Sequence, residues 1–377
     1  MTAPTVPTAT TGAPARQDFH ALAVTAAAPA ADDHSAVAVT FHVPAPLRET
    51  FAFAPGQYVT LRTQRAGAEV RRAYSLCSTP RQLHADGTLR IGVRTVDGGC
   101  LSPYLARELA PGDTLDVLAP QGHFTTPLDP GHPRRHYAAL AAGSGITPVL
   151  SLAATALATE PTSTFTVVYG NRTAASAMFT EELADLKDRY GRRLHLLRLF
   201  SRETHRIGLP HQRLDAPTLR TLLAGPLPAA VVDTWFLCGP QTMVSGARDV
   251  LAEQGVAAAT IHAELFHTQP DTPPAPADGT RAPHAGAELT LRHGGRTSTV
   301  HVQPGQTLLD AGLAHRPELP FSCLNGVCAT CRARVLDGRA EMASNWTLTE
   351  EEIADNYILT CQASPLTPTV DLDYDVV

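Results

Sequence analysis

From Phe19 to about Leu118, apolar residues recur in short β-type runs at close spacing: Val37 to Val43, Gln57 to Leu61, Val70 to Leu76, Leu89 to Arg94 and Thr114 to Leu118. Gly/Pro turns such as Pro55-Gly56 and Pro111-Gly112 separate them. This spacing predicts an antiparallel barrel or sandwich, interrupted by one short helix near Ser102 to Leu109. From Arg135 the pattern changes to apolar strand, loop and Ala/Leu-rich helix, repeated through Phe165 to Tyr169, Leu194 to Phe200 and Trp235 to Cys238. Such alternation builds a parallel α/β sheet. Thr268 to Ala287 is rich in Pro, Ala and Gly with almost no large apolar residue, so it reads as a semi-extended linker. The remaining stretch, Glu288 to Val377, has the size of a small compact domain.

A chain of 377 residues calls for two or three hydrophobic cores, and 44% hydrophobic with 18% charged residues excludes a disordered or fibrous chain. The formal net charge of -6, without a Lys/Arg run, gives no basis for a nucleic-acid partner. Met1 to Gln17 is Thr/Ala/Pro-rich and lacks the basic start and apolar core of a secretory signal, so it reads as a loose tail. The most apolar window, Tyr137 to Ala158, is broken by Gly143, Gly145 and Pro148. A strand, turn and helix fit it better than a membrane span, and no membrane partner is expected. Seven cysteines without such a signal point to a reducing compartment, with cytoplasm as the expected location.

Those cysteines carry the chemistry. Cys323, Cys328 and Cys331 have C-x4-C-x2-C spacing, and Cys361 follows downstream. This is the plant-type arrangement in which four thiolates hold a 2Fe-2S cluster. Gly326 suits a loop passing close to inorganic sulfide. A zinc site is the alternative, but zinc usually takes two C-x2-C-like pairs and Cys361 has no such partner. Thr349 with Glu352 forms a capping-box pattern before Cys361, and Glu350 to Glu352 reads as the solvated first turn of a helix.

Two glycine turns suggest phosphate binding. Gly98-Gly99-Cys100-Leu101-Ser102 leads into the short helix, where free N–H groups can receive a pyrophosphate. Gly143-Ser144-Gly145-Ile146-Thr147-Pro148 follows a strand and opens a helix, although Pro148 replaces the third glycine of the full dinucleotide fingerprint. Tyr169-Gly170-Asn171-Arg172 and Ser201-Arg202-Glu203 end strands, where ligands collect in open parallel sheets. Surface cations remain the alternative for Arg172 and Arg202, whereas Cys77 and Cys100 read as small core residues.

The C-terminal unit resembles the β-grasp ferredoxin domain of flavin-dependent oxygenase reductases. Pro55-Gly56-Gln57-Tyr58, Arg72-Ala73-Tyr74-Ser75, the Gly98-Gly99 turn and Pro120-Gln121-Gly122-His123-Phe124, in this order, resemble the ferredoxin-NADP reductase superfamily. The resemblance implies that Arg72 pairs with a flavin phosphate, Tyr74 packs on the isoalloxazine and Ser75 hydrogen-bonds near N5. It further implies that Gly98, Gly99, Leu101 and Ser102 receive the pyrophosphate. In that superfamily G-x-G-x-x-P is the usual nucleotide turn, here Gly143, Gly145, Thr147 and Pro148. Ser201-Arg202 resembles the pair that grips the 2'-phosphate of NADPH, with Arg172 a further cofactor-binding residue. Cys238-Gly239-Pro240 with Met243 would lie near the nicotinamide, with Cys238 in a placement role, and Glu264-Leu265-Phe266 would bring an aromatic cover to the flavin.

The expected architecture is therefore multidomain: an FAD-binding β-barrel (17–128), a Rossmann-like NAD(P)H-binding domain (129–267), a linker (268–287) and a 2Fe-2S β-grasp domain (288–377), after a tail (1–16). FMN stays open as the flavin. Electrons would run from NADPH to FAD to 2Fe-2S to an oxygenase. Within the family the FHALAV start, Arg71-Arg72 and the AGSGITP and YGNR runs are most similar to reductase components of ring-epoxidising phenylacetyl-CoA oxygenases, whose acceptor is a di-iron carboxylate enzyme. A Rieske or haem oxygenase could be served by the same layout. An adaptor that uses its ferredoxin unit only for binding is the reading from another class.

Overall fold

The computed structural model describes residues 19–65, 67–132, 134–203, 213–266 and 286–376. The expected tail, and the linker as far as residue 285, lie outside the described residues.

The first unit is a six-stranded antiparallel sheet: β1 (Phe19–Pro29), β2 (Ala36–His42), β3 (Tyr58–Arg65), β4 (Ala68–Ser75), β5 (Thr88–Arg94) and β6 (Thr114–Leu118), in the order β4-β3-β6-β1-β2-β5. An antiparallel bridge between Leu76 and Ile91 brings the two edges together and closes the barrel. Its interior is filled by inward residues of every strand, among them Leu22, Val39, Phe41, Leu61, Ile91 and Val117. The barrel carries two helices where the sequence pattern showed one. The additional α1 (Pro80–Asp86) is too short to display a period, but it has a capping box from Thr79 to Gln82 and ends at Gly87. The expected helix, α2 (Ser102–Arg107), stops short of Leu109.

The second unit is a parallel sheet of β7 (His136–Ala142), β8 (Thr164–Asn171), β9 (Leu194–Phe200), β10 (Thr234–Gly239) and β11 (Ile261–Leu265), ordered β11-β10-β7-β8-β9. Helices α3 (Ile146–Thr159) and α4 (Thr180–Tyr190) cover one face, and α5 (Ala216–Leu223) and α6 (Gln241–Glu253) the other. The apolar window around Gly143 thus resolves into strand, turn and helix. Burial on both faces explains why these strands read as continuous apolar runs. Strand order reverses between β7 and β10, so the turns after these two strands adjoin at the switch point where ligands bind. The α3/α4 face shares its core with Ala36, Ala38, Cys77 and Phe124 of the barrel, which fastens the two units together.

The third unit joins β12 (Ala287–His293), β13 (Arg296–Val302), β14 (Arg332–Asp337), β16 (Tyr357–Leu359) and β18 (Thr369–Asp373) in a mixed sheet ordered β13-β12-β18-β14-β16, with a small β15 (Ala340–Met342)–β17 (Ala363–Pro365) ribbon. Helix α7 (Leu308–Leu313) packs into this core, and α8 (Glu350–Ala354) opens on the capping box of Thr349 and Glu352. This is the β-grasp ferredoxin arrangement.

Candidate redox site

At the switch point, three distant segments converge. Ser75, at the end of β4 and 3% exposed, donates its hydroxyl to Glu264 Oε2 at 3.3 Å. Cys238 Sγ, at the end of β10, reaches the same oxygen at 4.0 Å, because Cys238 and Glu264 are paired across β10 and β11. Desolvation pushes the Glu264 carboxyl up to about 8, with the Ser75 hydrogen bond opposing it. Burial also drives the Cys238 thiol well upward, so it stands as a neutral packing and donor group rather than a thiolate. Sequence reasoning placed Ser75 and Cys238 here but gave Glu264 no role, although the E-x-F pattern contains it. Phe266 follows, half-buried, with its N–H on Gly239 O at 2.9 Å.

The glycine turn is shaped by the same cysteine. A Cβ on Gly145 would lie 2.2 Å from Cys238 O, so only glycine allows the two turns to meet. Thr147 Oγ1 donates to Ser144 O at 2.9 Å, and Pro148 sits buried in the first turn of α3. Met243, 7% exposed, underlies Gly239 and Pro240 from the first turn of α6. Nearby, Asn171 O accepts from Ser201 N and Arg172 O from Arg202 N, each at 2.9 Å. The expected phosphate-gripping residues are thereby drawn together, with both arginines exposed.

Arg94, which sequence reasoning did not single out, reaches this place from the barrel. Its Nη1 donates to Ser35 Oγ at 2.9 Å and its Nη2 to Ser176 O at 2.6 Å. Its Nε, buried without a partner, faces the Gly143 turn, and Asn171 Nδ2 is likewise a buried donor without a partner. Two orphaned donors beside a glycine turn fit an anionic nucleotide. The only forewarning was an arginine at a strand end.

On the flavin side, Arg72 and Tyr74 are half-buried on β4, Arg72 donating to Arg71 O at 2.8 Å. Burial raises the Tyr74 hydroxyl. Gly98 opens onto free space, and Ser102 Oγ accepts from Val96 N at 3.0 Å, which fixes the turn leading through Gly99 and Leu101 into α2. Cys77 is buried as expected. Cys100 is exposed, contrary to the core reading, because the turn projects it outward before the helix begins.

In the ferredoxin unit, the loop holding Cys323, Cys328 and Cys331 has three left-handed residues, Leu324 (φ 59), Gly326 (φ 72) and Ala329 (φ 53). Such strain in so short a stretch wraps the backbone and aims successive groups inward. Cys323 N donates to Cys328 Sγ and Asn325 N to Cys323 Sγ, both at 3.4 Å. The Cys328 contact, aided by backbone N–H groups, lowers the Cys323 thiol toward the thiolate that iron binds. Cys331 and Cys361 form a second adjoining pair. Among the described residues no group of three or more His, Cys, Asp or Glu side chains is arranged to hold one ion. Two adjoining pairs match the two irons that four thiolates share in a plant-type cluster. Ser322 Oγ, buried without a partner beside Cys323, fits a site that offers a further acceptor such as sulfide.

A barrel shaped for a flavin, a parallel sheet shaped for a nicotinamide nucleotide and a ferredoxin unit together define a flavin iron–sulfur oxidoreductase. The chain matches the oxidoreductase FAD-binding domain over residues 32–126, the oxidoreductase NAD-binding domain over 139–249 and the 2Fe-2S iron-sulfur cluster binding domain over 291–366. It is 41% identical to a subunit of the 1,2-phenylacetyl-CoA epoxidase of Escherichia coli K12, over 88% of this chain and 91% of that protein. It is 34% identical to the ferredoxin reductase component of the 3-ketosteroid-9-alpha-monooxygenase of Rhodococcus rhodochrous, over 88% and 90%. Phthalate dioxygenase reductase shares the fold, at 22% identity over 94% of this chain and 98% of that one, with a TM-score of 0.54. The chain belongs to this family of oxygenase reductase components and is an NAD(P)H-dependent flavin oxidoreductase containing FAD and 2Fe-2S domains. No helix among the described residues is long and apolar enough to cross a membrane.

Proposed function

We propose that this chain draws electrons from NADPH and delivers them to a di-iron oxygenase acting on phenylacetyl-CoA, in phenylacetate catabolism in the cytoplasm. The observation that carries this reading is the 41% identity to a component of the phenylacetyl-CoA epoxidase, spread over 88% of the chain. NADPH is favoured by Arg172, Ser201 and Arg202, tied into one basic corner at the ends of β8 and β9. Arg72, Tyr74, Gly98, Gly99, Leu101 and Ser102 hold the flavin, and Cys323, Cys328, Cys331 and Cys361 hold the cluster. The division at 17–128, 129–267 and 288–377 follows these sites. FAD, when bound, accepts the electron pair of a hydride and releases electrons singly. Ser75 orients that exchange by a hydrogen bond at its hydroxyl, Glu264 keeps the Ser75 hydroxyl in place, and Cys238 sets the depth to which the nicotinamide enters.

Purified oxygenase components with phenylacetyl-CoA, NADPH and this chain should consume NADPH in step with oxygen, and NADH should serve poorly. Equal rates with NADH, or no coupling to that substrate, overturns the proposal. Ferricyanide reduction by NADPH separates it from a binding-only adaptor. Service to a haem oxygenase is supported by 26% identity to a self-sufficient cytochrome P450 monooxygenase structure, whose match covers 94% of this chain and 41% of that one with a TM-score of 0.66. Coupling to haem turnover would favour it.

A further inference from the structure

A dense set of buried polar contacts outside the two sites lies at the junction of barrel and ferredoxin unit. Alternation along β4 puts Arg71 and Arg72 on opposite faces. Arg71, 3% exposed, donates through Nη1 to Leu319 O at 3.0 Å and through Nη2 to Pro317 O at 3.1 Å. Its guanidinium also lies 4.3 Å from the Phe321 ring centroid and 2.8 Å from Glu69. On β3, Tyr58 is 4% exposed, and its ring lies over Gly122. Its hydroxyl donates to Cys328 O and lies 3.0 Å from Thr330 Oγ1. Tyr58 is also the cross-strand partner of Ser75. A single side chain thus links the backbone beside the flavin-edge serine to the backbone of a cluster cysteine. A buried hydroxyl and a buried guanidinium that find partners across a junction mark one preferred docking, since a loose tether would leave those bonds to water.

We propose that Tyr58 is a positioning residue for electron transfer from flavin to cluster, holding the Cys328 segment against the barrel, with Arg71 as its second anchor. The proposal rests on the assignment of Cys328 as a cluster ligand. Transfer falls steeply with separation, so a loop held by its own backbone carbonyl keeps the step fast. The electrons are those supplied by the nicotinamide nucleotide, one leaving the flavin for each taken up by the cluster, and no further reductant is required.

The test uses Tyr58→Phe and Thr330→Val in the holoenzyme, with stopped-flow absorbance and amide hydrogen exchange over residues 323–331. Flavin bleaching by NADPH should keep its wild-type rate while cluster bleaching slows about fivefold, the scale of one net hydrogen bond, and exchange in the loop quickens to match. The double variant should be no slower than Tyr58→Phe, because that substitution already removes both contacts of the hydroxyl. Thr330→Val removes the hydroxyl's second contact from the ferredoxin side and serves as the test if Tyr58→Phe folds poorly. Wild-type cluster bleaching and exchange in both variants, or fully additive losses, overturns the proposal. A Cys328→Ser protein that retains wild-type iron–sulfur absorption overturns the ligand assignment instead, which keeps the two failures apart.

Discussion

Replacing Glu264 with Gln keeps the shape of the site and removes its one titrating carboxyl. In the unfolded chain this group ionises near the ordinary 4.5; in the fold, desolvation lifts it to about 8. Below the lower value both states hold the proton and burial carries no charge penalty. As pH rises through that interval the unfolded chain releases the proton first, so stability is lost until the folded carboxyl also ionises. At about 1.4 kcal/mol per pH unit the interval sets a ceiling of roughly 5 kcal/mol. Glu264 is half-buried and accepts from Ser75, so a loss of about 1–3 kcal/mol is expected between about pH 5 and pH 8.5. Urea unfolding of the holoenzyme, followed by fluorescence of Trp235 on the neighbouring strand β10, measures it. Glu264→Gln should be more stable than wild type by that amount at the alkaline end and nearly equal at the acid end. A stability difference that does not change with pH would refute the reasoning.

Glu160 is fully buried, accepting from Tyr137, Ser163 and the Asp129 N–H, and has no place in either site. Glu160→Ala should cost about 2–4 kcal/mol in thermal unfolding, through the donors it strands, without altering the KM for nucleotide in the folded fraction. Gly145→Ala drives a methyl group into Cys238 O and should cost about 1–3 kcal/mol while raising the KM for NADPH; unchanged kinetics would contradict the close meeting of the two turns. Arg202→Ala should raise the KM for NADPH about tenfold and leave NADH untouched, the scale of one charge-assisted contact; equal effects on both nucleotides would remove the 2'-phosphate role.

Much of this protein is local and therefore legible in its sequence. Short β runs between Gly/Pro turns gave away the barrel, continuous apolar strands the parallel sheet, and cysteine spacing the 2Fe-2S domain, because backbone preference and ligand spacing act over a few residues. The short α1 escaped, as it spans too few turns to show a period. The paired Arg71-Arg72 served as a family mark, yet strand alternation sends Arg71 to the ferredoxin unit while Arg72 stays on the barrel. Glu264 meets Ser75 from 189 positions away, Arg94 leaves the barrel to face the glycine turn at Gly143, and Tyr58 meets Cys328 across 270. Composition and spacing determined which groups the chain carries and which cofactor chemistry suits them. Only tertiary packing decided which of those groups meet, because the desolvation and contacts that set their roles come from residues remote in the chain.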